Sequence, residues 1–370
     1  MIQSTVVHPT EGGPIGTGGN RHLVSQYHAI TRRENLDWQT TFRGMRLLGK
    51  GGQGTVFLSQ REGTDKFTLP VSLKFFSPES YRDDASYADD MKNVARVARQ
   101  VALIQHDNIL DIHNFIERDG VRIMEMEWID GFNLQDLLTK RTYSATQAKL
   151  SRERWEYVLR VILAMGPAHP RFKPGVAIQV LRECLAGLAA LHREGIVHGD
   201  LKPSNIMLKR TGNAKIIDIG SATVIDKPQA RRMWSPLYAA PEVLRGAENT
   251  PQSDLASLGY VLLEMLAGAC PFAGLVTIDA LAKSKMTLED RLVDFLPKEV
   301  SSNEMLLHLC KKMVAADPAK RFPSAQAADL DRKGAADFHR QLVKGDLASE
   351  YENDIRGWLA DLDEVAPAAA

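Results

Sequence analysis

Apolar residues recur along this chain with two different periods. In the first third they come in short runs that fit strands: Phe42 to Leu48, Val56 to Ser59 and Val71 to Phe76. Ile109 to Phe115 and Val121 to Glu127 follow, paired around the turn Glu117-Arg118-Asp119-Gly120. Ahead of that pair, Val94, Val97, Val101 and Ile104 share one face of a helix predicted over about Tyr87 to Gln105. Helical spacing dominates afterwards. Trp155, Val158, Leu159 and Ile162 form a stripe behind Ser151, a suitable N-cap. Val180, Leu181, Cys184, Leu185, Leu188 and Leu191 predict a helix from Val176 to Glu194 that Gly195 stops. Beyond about Leu330, Phe338, Leu342, Leu347 and Tyr351, then Ile355, Trp358, Leu359 and Leu362, predict a helical extension that packs on the body, with Val365 to Ala370 as a frayed tail. Met1 to about Asp37 carries Gly-Gly and Gly-Pro punctuation without a period, which predicts a flexible arm.

Composition narrows the class. With 370 residues, the chain has room for a sizeable core and two or so compact units. An apolar share of 44% and a charged share of 25% are ordinary for a globular protein. Forty-six basic residues balance 46 acidic ones, so neither nucleic acid nor an anionic membrane is expected as a partner. Cys184, Cys270 and Cys310 stand in apolar surroundings without metal-ligand spacing, and such thiols fit a reducing cytoplasm. No basic-then-apolar signal pattern opens the sequence, and the longest apolar run, Leu255 to Ala269, is broken by Glu264 and too short for a bilayer. The expectation is a cytoplasmic protein with no membrane span. One local bias stands out. Lys140, Arg141, Lys149, Arg152, Arg154, Arg160, Arg171 and Lys173 face only Glu153 and Glu156 over Thr139 to Pro174, giving either a packed helix with a solvated basic face or a docking surface for an acidic protein partner.

The chemistry is concentrated in His198-Gly199-Asp200-Leu201-Lys202-Pro203-Ser204-Asn205, followed by the strand Ala214 to Ile217 and Asp218-Ile219-Gly220. This spacing lets a tight loop present Asp200 and Asn205 together while the strand delivers Asp218 to the same place. One carboxylate can accept a hydroxyl proton; the amide and the other carboxylate are hard oxygen donors suited to magnesium and phosphate. Upstream, Gly49-Lys50-Gly51-Gly52-Gln53-Gly54 lies between two predicted strands, where a hairpin backbone can close over phosphates. A strand after the third glycine argues against a dinucleotide fold.

Together these residues resemble the catalytic core of the eukaryotic-like Ser/Thr protein kinases, from about Phe42 to about Leu330. The resemblance implies an α+β, bilobal fold: a small antiparallel-sheet lobe with one helix over about 42–128 and a larger helical lobe over about 129–330. It sets residues 1–41 apart as the arm, 139–174 as a basic insert and 331–370 as an extension. It implies transfer of the ATP γ-phosphoryl group, with Mg2+, to serine or threonine on protein substrates, and autophosphorylation. By the same resemblance Asp200 is the base, Lys202 neutralises the γ-phosphate, Lys74 meets the α- and β-phosphates, and Asn205 and Asp218 hold metal. Gly49, Lys50, Gly51, Gly52, Gln53, Gly54, Val56 and Met207 would surround the nucleotide, Met126 would border the back of the pocket, and the backbone at Glu127 and Ile129 would face adenine. Ser235 to Glu242 resembles the peptide-docking segment that small-molecule kinases lack, with Ser235 near Asp200. Asp254 would tie down the catalytic loop, Arg321 would pair with Glu242, and His198 would be structural, under Ile219. Ser221 and Thr223 are candidate phosphorylation sites.

Two departures from the family pattern stand in the sequence. The helix glutamate that usually holds the lysine is absent, its slot falling on or near Val97, so Lys74 is free to pair with Asp218 instead. Gly199 replaces the arginine that usually reads an activation-loop phosphate. These support a rival reading, a pseudokinase that binds nucleotide and signals by shape.

Overall fold

A computed structural model describes residues 25–26, 28–29, 31–32, 40–225, 234–344 and 351–363. The predicted arm lies almost wholly outside the described residues, as do Leu347 and the tail at 365–370. The described parts of residues 1–43 and 61–69 make a small unit of their own, with Arg43 paired to Glu62 at 2.7 Å and a turn closed by Gly63 N donating to Phe67 O. The residues expected at the site lie in the larger unit, 44–60 and 70–370.

The strand-period runs form a five-stranded sheet of β1 (Thr41–Gly51), β2 (Gly54–Glu62), β3 (Thr68–Phe76), β4 (Ile112–Arg118) and β5 (Val121–Glu127), in the order β1-β2-β3-β5-β4. β3 pairs antiparallel with β5 so that Lys74 stands opposite Met124. Val71 and Leu73 of β3 and Ile123, Met124 and Met126 of β5 are buried, fixing the register. Helix α1 (Asp84–Val101) begins three residues earlier than predicted because Asp83 and Ser86 form a capping box. It also ends earlier: tight bonds from Leu103 N to Gln100 O and Ile104 N to Val101 O close it, leaving Ile104 and Gln105 beyond its end. Its buried face is Tyr87, Met91, Val94, Val97, Ala98 and Val101.

The larger, helical part is organised on α4 (Pro174–Arg193) and α5 (Pro251–Ala267), both deeply buried. Among the described residues α4 alone is long and apolar enough to cross a membrane by length and composition, and most of its apolar stretch is covered by the body. The basic insert is more elaborate than the predicted single helix. Lys140–Lys149 forms α2, capped by Thr139; Arg152–Val161 forms α3, capped by Ser151; and β7 (Leu163–Met165) pairs with β8 (Pro170–Phe172). After α6 (Ile278–Met286), α7 (Glu304–Val314), α8 (Ala325–Leu330) and α9 (Ala335–Lys344), the extension ends in α10 (Tyr351–Asp363). That helix packs on the insert: Trp358 meets Phe172 edge to face at 5.9 Å, Arg154 pairs with Asp361 at 2.8 Å and Tyr157 OH donates to Asp354. The acidic groups that two of the insert's side chains meet therefore belong to the same chain.

A second small sheet, β6 (Gly131–Asn133), β10 (Ile206–Lys209) and β11 (Ala214–Ile216), in the order β11-β10-β6, follows the loop that leaves the short strand β9 (Ile196–Val197).

Candidate active site

The loop after α4 is shaped by backbone demands before any chemistry. His198 is fully buried; its Nδ1 accepts from Asp200 N, which puts the ring proton on Nε2, and Nε2–H donates to Ile217 O at 3.1 Å. Gly199 turns with φ +75°, and a Cβ there would stand 3.0 Å from Ser221 O and 2.8 Å from Asn249 Nδ2. An arginine is thus disfavoured by conformation as well as space. Asp254, at the start of α5, fixes this turn by accepting from His198 N at 2.8 Å and Gly199 N at 2.9 Å, and it also meets His192 Nε2 at 2.9 Å.

On this frame Asp200 is precisely bounded by three neighbours. Its Oδ2 accepts from Lys202 Nζ at 2.7 Å, its Oδ1 accepts from Ser235 N at 2.8 Å, and its carbonyl accepts from Asn205 Nδ2 at 2.8 Å. Lys202 Nζ reaches Ser235 Oγ as well, at 3.0 Å, so Asp200, Lys202 and Ser235 form one cluster. Asn205 sits in a single 3-10 turn, and its carbonyl accepts from Ile217 N at 2.9 Å, which brings it beside the strand that carries Asp218.

Asp218 adopts the left-handed region, φ +63° and ψ 78°, with its carboxylate taking Gly220 N at 3.1 Å. A non-glycine residue there is strained, a cost usually met at functional positions. Burial pushes its carboxyl up, but the adjacent Lys74 charge, the Lys74 hydrogen bond and the Gly220 amide outweigh burial and hold it at about 2. Lys74 Nζ lies 2.5 Å from Asp218 Oδ1 and 2.6 Å from Gln53 Oε1. No acidic residue of α1 forms an ion pair with it among the described residues; Asp90, which lines the small cavity beside Gln53 and Gly220, takes the Tyr81 hydroxyl, and Asp89 takes Lys92. Val97, the expected glutamate slot, is 2% exposed in the apolar face.

The glycine turn follows the predicted hairpin, with β1 extending through Gly51 and β2 beginning at Gly54. Gly54 has φ +143°, and a Cβ there would stand 1.8 Å from Phe75 O, so only glycine lets the turn lie against β3. Gly49, Lys50 and Gly51 are exposed, whereas Val56 and Met207 are half-buried and Met126 and Ile129 are buried. Glu127 turns its carboxylate to Lys215 and to Asp111 N at 2.7 Å. As donors, Asp218 and Asn205 fit a hard divalent cation: the carboxylate is ionised, and among the described residues no hydrogen bond engages Asn205 Oδ1. One carboxylate and one amide leave most of a coordination shell to phosphate and water, in keeping with the absence of any His/Cys/Asp/Glu cluster among the described residues.

The segment Ser235 to Glu242 is held at both Tyr238 and Glu242. Arg321 makes a bidentate pair with Glu242 at 2.6 and 2.8 Å, and Tyr238 OH donates to Glu264 at 2.6 Å. Ser221, a candidate phosphorylation site, is buried and accepts from Gln53 Nε2 at 2.8 Å, which removes it from easy access; Thr223 lies in the short strand β12 (Thr223–Val224). Three features had no signal in the sequence: the inward-turned Gln53 side chain, the covering of the insert by α10, and Lys285. Lys285 of α6 is fully buried between the rings of Tyr260 and Phe272, at 4.1 and 4.0 Å, and donates to Leu237 O at 2.7 Å.

A family model described as the protein kinase domain matches residues 42–331. Among curated proteins, the chain is 27% identical over 312 residues to the serine/threonine-protein kinase PrkC of Bacillus subtilis, covering 83% of this chain and 42% of that protein. It is 30% identical over 285 residues to the serine/threonine-protein kinase PknD of Mycobacterium tuberculosis, covering 76% and 37%. It is 26% identical over 305 residues to the probable serine/threonine-protein kinase PknB of Lactococcus lactis, covering 79% and 43%. The chain spans less than half the length of these relatives. With the sheet, the helical body and the ordered series of kinase motifs in place, and the family model matching most of its length, the chain belongs to the protein kinase family.

Proposed function

We propose that this chain is an ATP-dependent serine/threonine protein kinase that transfers the γ-phosphoryl group to protein hydroxyls and also phosphorylates itself. The observation that carries this reading is the Asp200 cluster, in which one carboxylate faces both a cationic side chain and the segment where a substrate hydroxyl would dock. Asp200 orients that hydroxyl and takes its proton as the new O–P bond forms. Lys202 opposes the negative charge that builds on the moving phosphoryl oxygens, while the terminal bond of ATP breaks and ADP leaves. Lys74 fixes the α- and β-phosphates under the amides of Gly51 to Gly54. Asp218 and Asn205 would hold Mg2+, which neutralises phosphate charge when bound. Since phosphoryl transfer depends chiefly on positioning and charge neutralisation, these side chains suffice without a helix glutamate.

Three cysteine thiols without disulfides, two of them buried, together with the need for ATP, support a cytoplasmic location for this catalytic body. A protein partner at the insert would meet the basic residues that α10 leaves, such as Lys140, Arg141 and Lys149. The test is incorporation of label from γ-labelled ATP with Mg2+, into the protein and into a generic basic acceptor, for wild type and Asp200→Asn. Label in wild type, reduced at least about a hundredfold in the variant, is the expected result. Equal incorporation by both would remove Asp200 from the chemistry.

A further inference from the structure

Lys74 carries a charged, donor-only amine in a site that is almost closed, its side chain 7% exposed. Such a group needs oxygen acceptors on more than one side, or it collapses onto whichever carboxylate is nearest. The helix that would ordinarily supply a second acceptor offers Met91, Val94 and Val97, and its nearby aspartates are engaged elsewhere. Resting on the phosphoryl-transfer reading above, we propose that Gln53 is the positioning residue for Lys74, supplying from the glycine turn the acceptor that α1 lacks.

Four contacts carry the argument. The carboxamide must present oxygen to the lysine, because lysine cannot accept, and Oε1 lies 2.6 Å from Nζ. Its other end is engaged at the same time, Nε2 donating to Ser221 Oγ at 2.8 Å; the hydroxyl can serve either end of the amide, but the lysine allows only the orientation that presents Oε1. The Gln53 backbone is anchored too, its carbonyl accepting from Ser77 N at 2.9 Å just past the strand that carries Lys74. Finally, Gly220 makes the room: a Cβ there would stand 2.0 Å from Gln53 Oε1 and 2.9 Å from Lys74 Nζ. The cavity beside these groups is lined by Phe76, Tyr81, Asp90, Met91, Val94 and Gly220, with the Asp90 carboxylate engaged by the Tyr81 hydroxyl, so the carboxamide lies on the α1 side of the lysine. Asp218 draws the amine one way and Gln53 holds it from the turn. The consequence is a different coupling from the one the helix would give. Lys74 is set when the glycine turn closes, and movement of α1 breaks no ion pair to it, Asp90 being held by Tyr81.

The experiment compares wild type with Gln53→Met, which keeps the length but not the acceptor, and with Gln53→Glu, which keeps an acceptor. ATP and adenosine are each titrated by displacement of a fluorescent nucleotide, and turnover is measured alongside. Gln53→Met is expected to weaken ATP by roughly tenfold, as for a lost hydrogen bond to a charged group, with adenosine unchanged and kcat reduced. Gln53→Glu is expected to stay within about threefold of wild type in ATP affinity. ATP bound equally or more tightly by Gln53→Met, equal losses for ATP and adenosine, or failure of Gln53→Glu to retain affinity would each overturn the proposal. Should wild type transfer no label while the ATP-selective loss is seen, the phosphoryl-transfer reading fails and the positioning role stands.

Discussion

At the scale of single residues, Lys285 shows how an amine can be buried without an ion pair among the described residues. Its amine has two aromatic faces and one carbonyl, Leu237 O, which belongs to the docking segment. Burial nonetheless pushes it down from its ordinary value near 10.5 to about 7. The sign of the consequence follows from which state binds the proton. Between about pH 7 and 10.5 the unfolded chain keeps Lys285 protonated while the folded chain releases it, so its contribution to stability rises with pH across that window. Below pH 7 both states are protonated and the burial penalty is fully present. Denaturant midpoints of wild type and Lys285→Met, taken from pH 6 to pH 9 or so, should converge or cross as the pH rises, wild type gaining relative to the variant. Parallel curves would mean that the amine stays charged throughout. Nothing in the sequence marks this lysine, because Ile278 to Met286 shows only a short mixed helix; the rings that sandwich it come from α5 and the loop beyond it. Gln53 was equally silent. Its neighbours predict a backbone cradle, and a side chain folded inward depends on the vacancy left by Gly220 and on what α1 lacks. By contrast Asp200, Lys202, Asn205 and Asp218 were legible, since their juxtaposition follows from a short loop and one strand, local geometry that spacing alone constrains.

Elements were legible where one period ran unbroken. The sheet strands and α4 appear within a few residues of their expected ends, because short apolar runs bounded by turn residues, and one long helical stripe, leave little freedom. The insert was less so: α2 buries little beyond Thr146, and a helix with so weak an apolar face carries no readable stripe. The two elements that explain each other, α3 and α10, are some two hundred residues apart, a distance no local pattern spans. The last helix is packed on β8 and α4 as well. Trp358 is fully buried against Phe172 of β8, and Gly175 of α4 approaches so closely that a Cβ would stand 2.1 Å from the Tyr351 ring. Truncating Trp358→Ala should therefore cost about 3–5 kcal/mol, the range for a large aromatic in a packed core. Arg154→Ala, at a partly exposed pair, should cost no more than about 1 kcal/mol. Urea unfolding of the full chain checks both. A Trp358→Ala cost below about 1 kcal/mol would show α10 to be a loosely held appendage rather than part of the core.

At the scale of the whole molecule, α5 is the element through which the site is made rigid. Its first turn holds the catalytic loop through Asp254, its later turns hold the docking segment through Glu264 and Tyr238, and the carbonyl of Gln252 near its start takes Arg321. Arg321 is the tie that closes this arrangement from the far end of the chain. Its side chain is fully buried, it meets Glu242 in two bonds, and it donates further to Ala315 O at 2.8 Å and Gln252 O at 2.9 Å. Removing one partner from such a pair strands the other charge, so Arg321→Met is expected to cost about 3–5 kcal/mol, read from denaturant unfolding. Replacing both partners tests which part of that cost is electrostatic. Glu242→Leu with Arg321→Met removes the stranded carboxylate and should recover part of the loss, but not all of it, because the Ala315 and Gln252 carbonyls remain without the donor. Full recovery would mean that Arg321 serves Glu242 alone. No recovery would mean that its role is to satisfy the backbone around α5. Partial recovery in stability, with phosphate incorporation still low, is the combination expected if the pair holds the docking segment against Asp200 as well as holding the fold together.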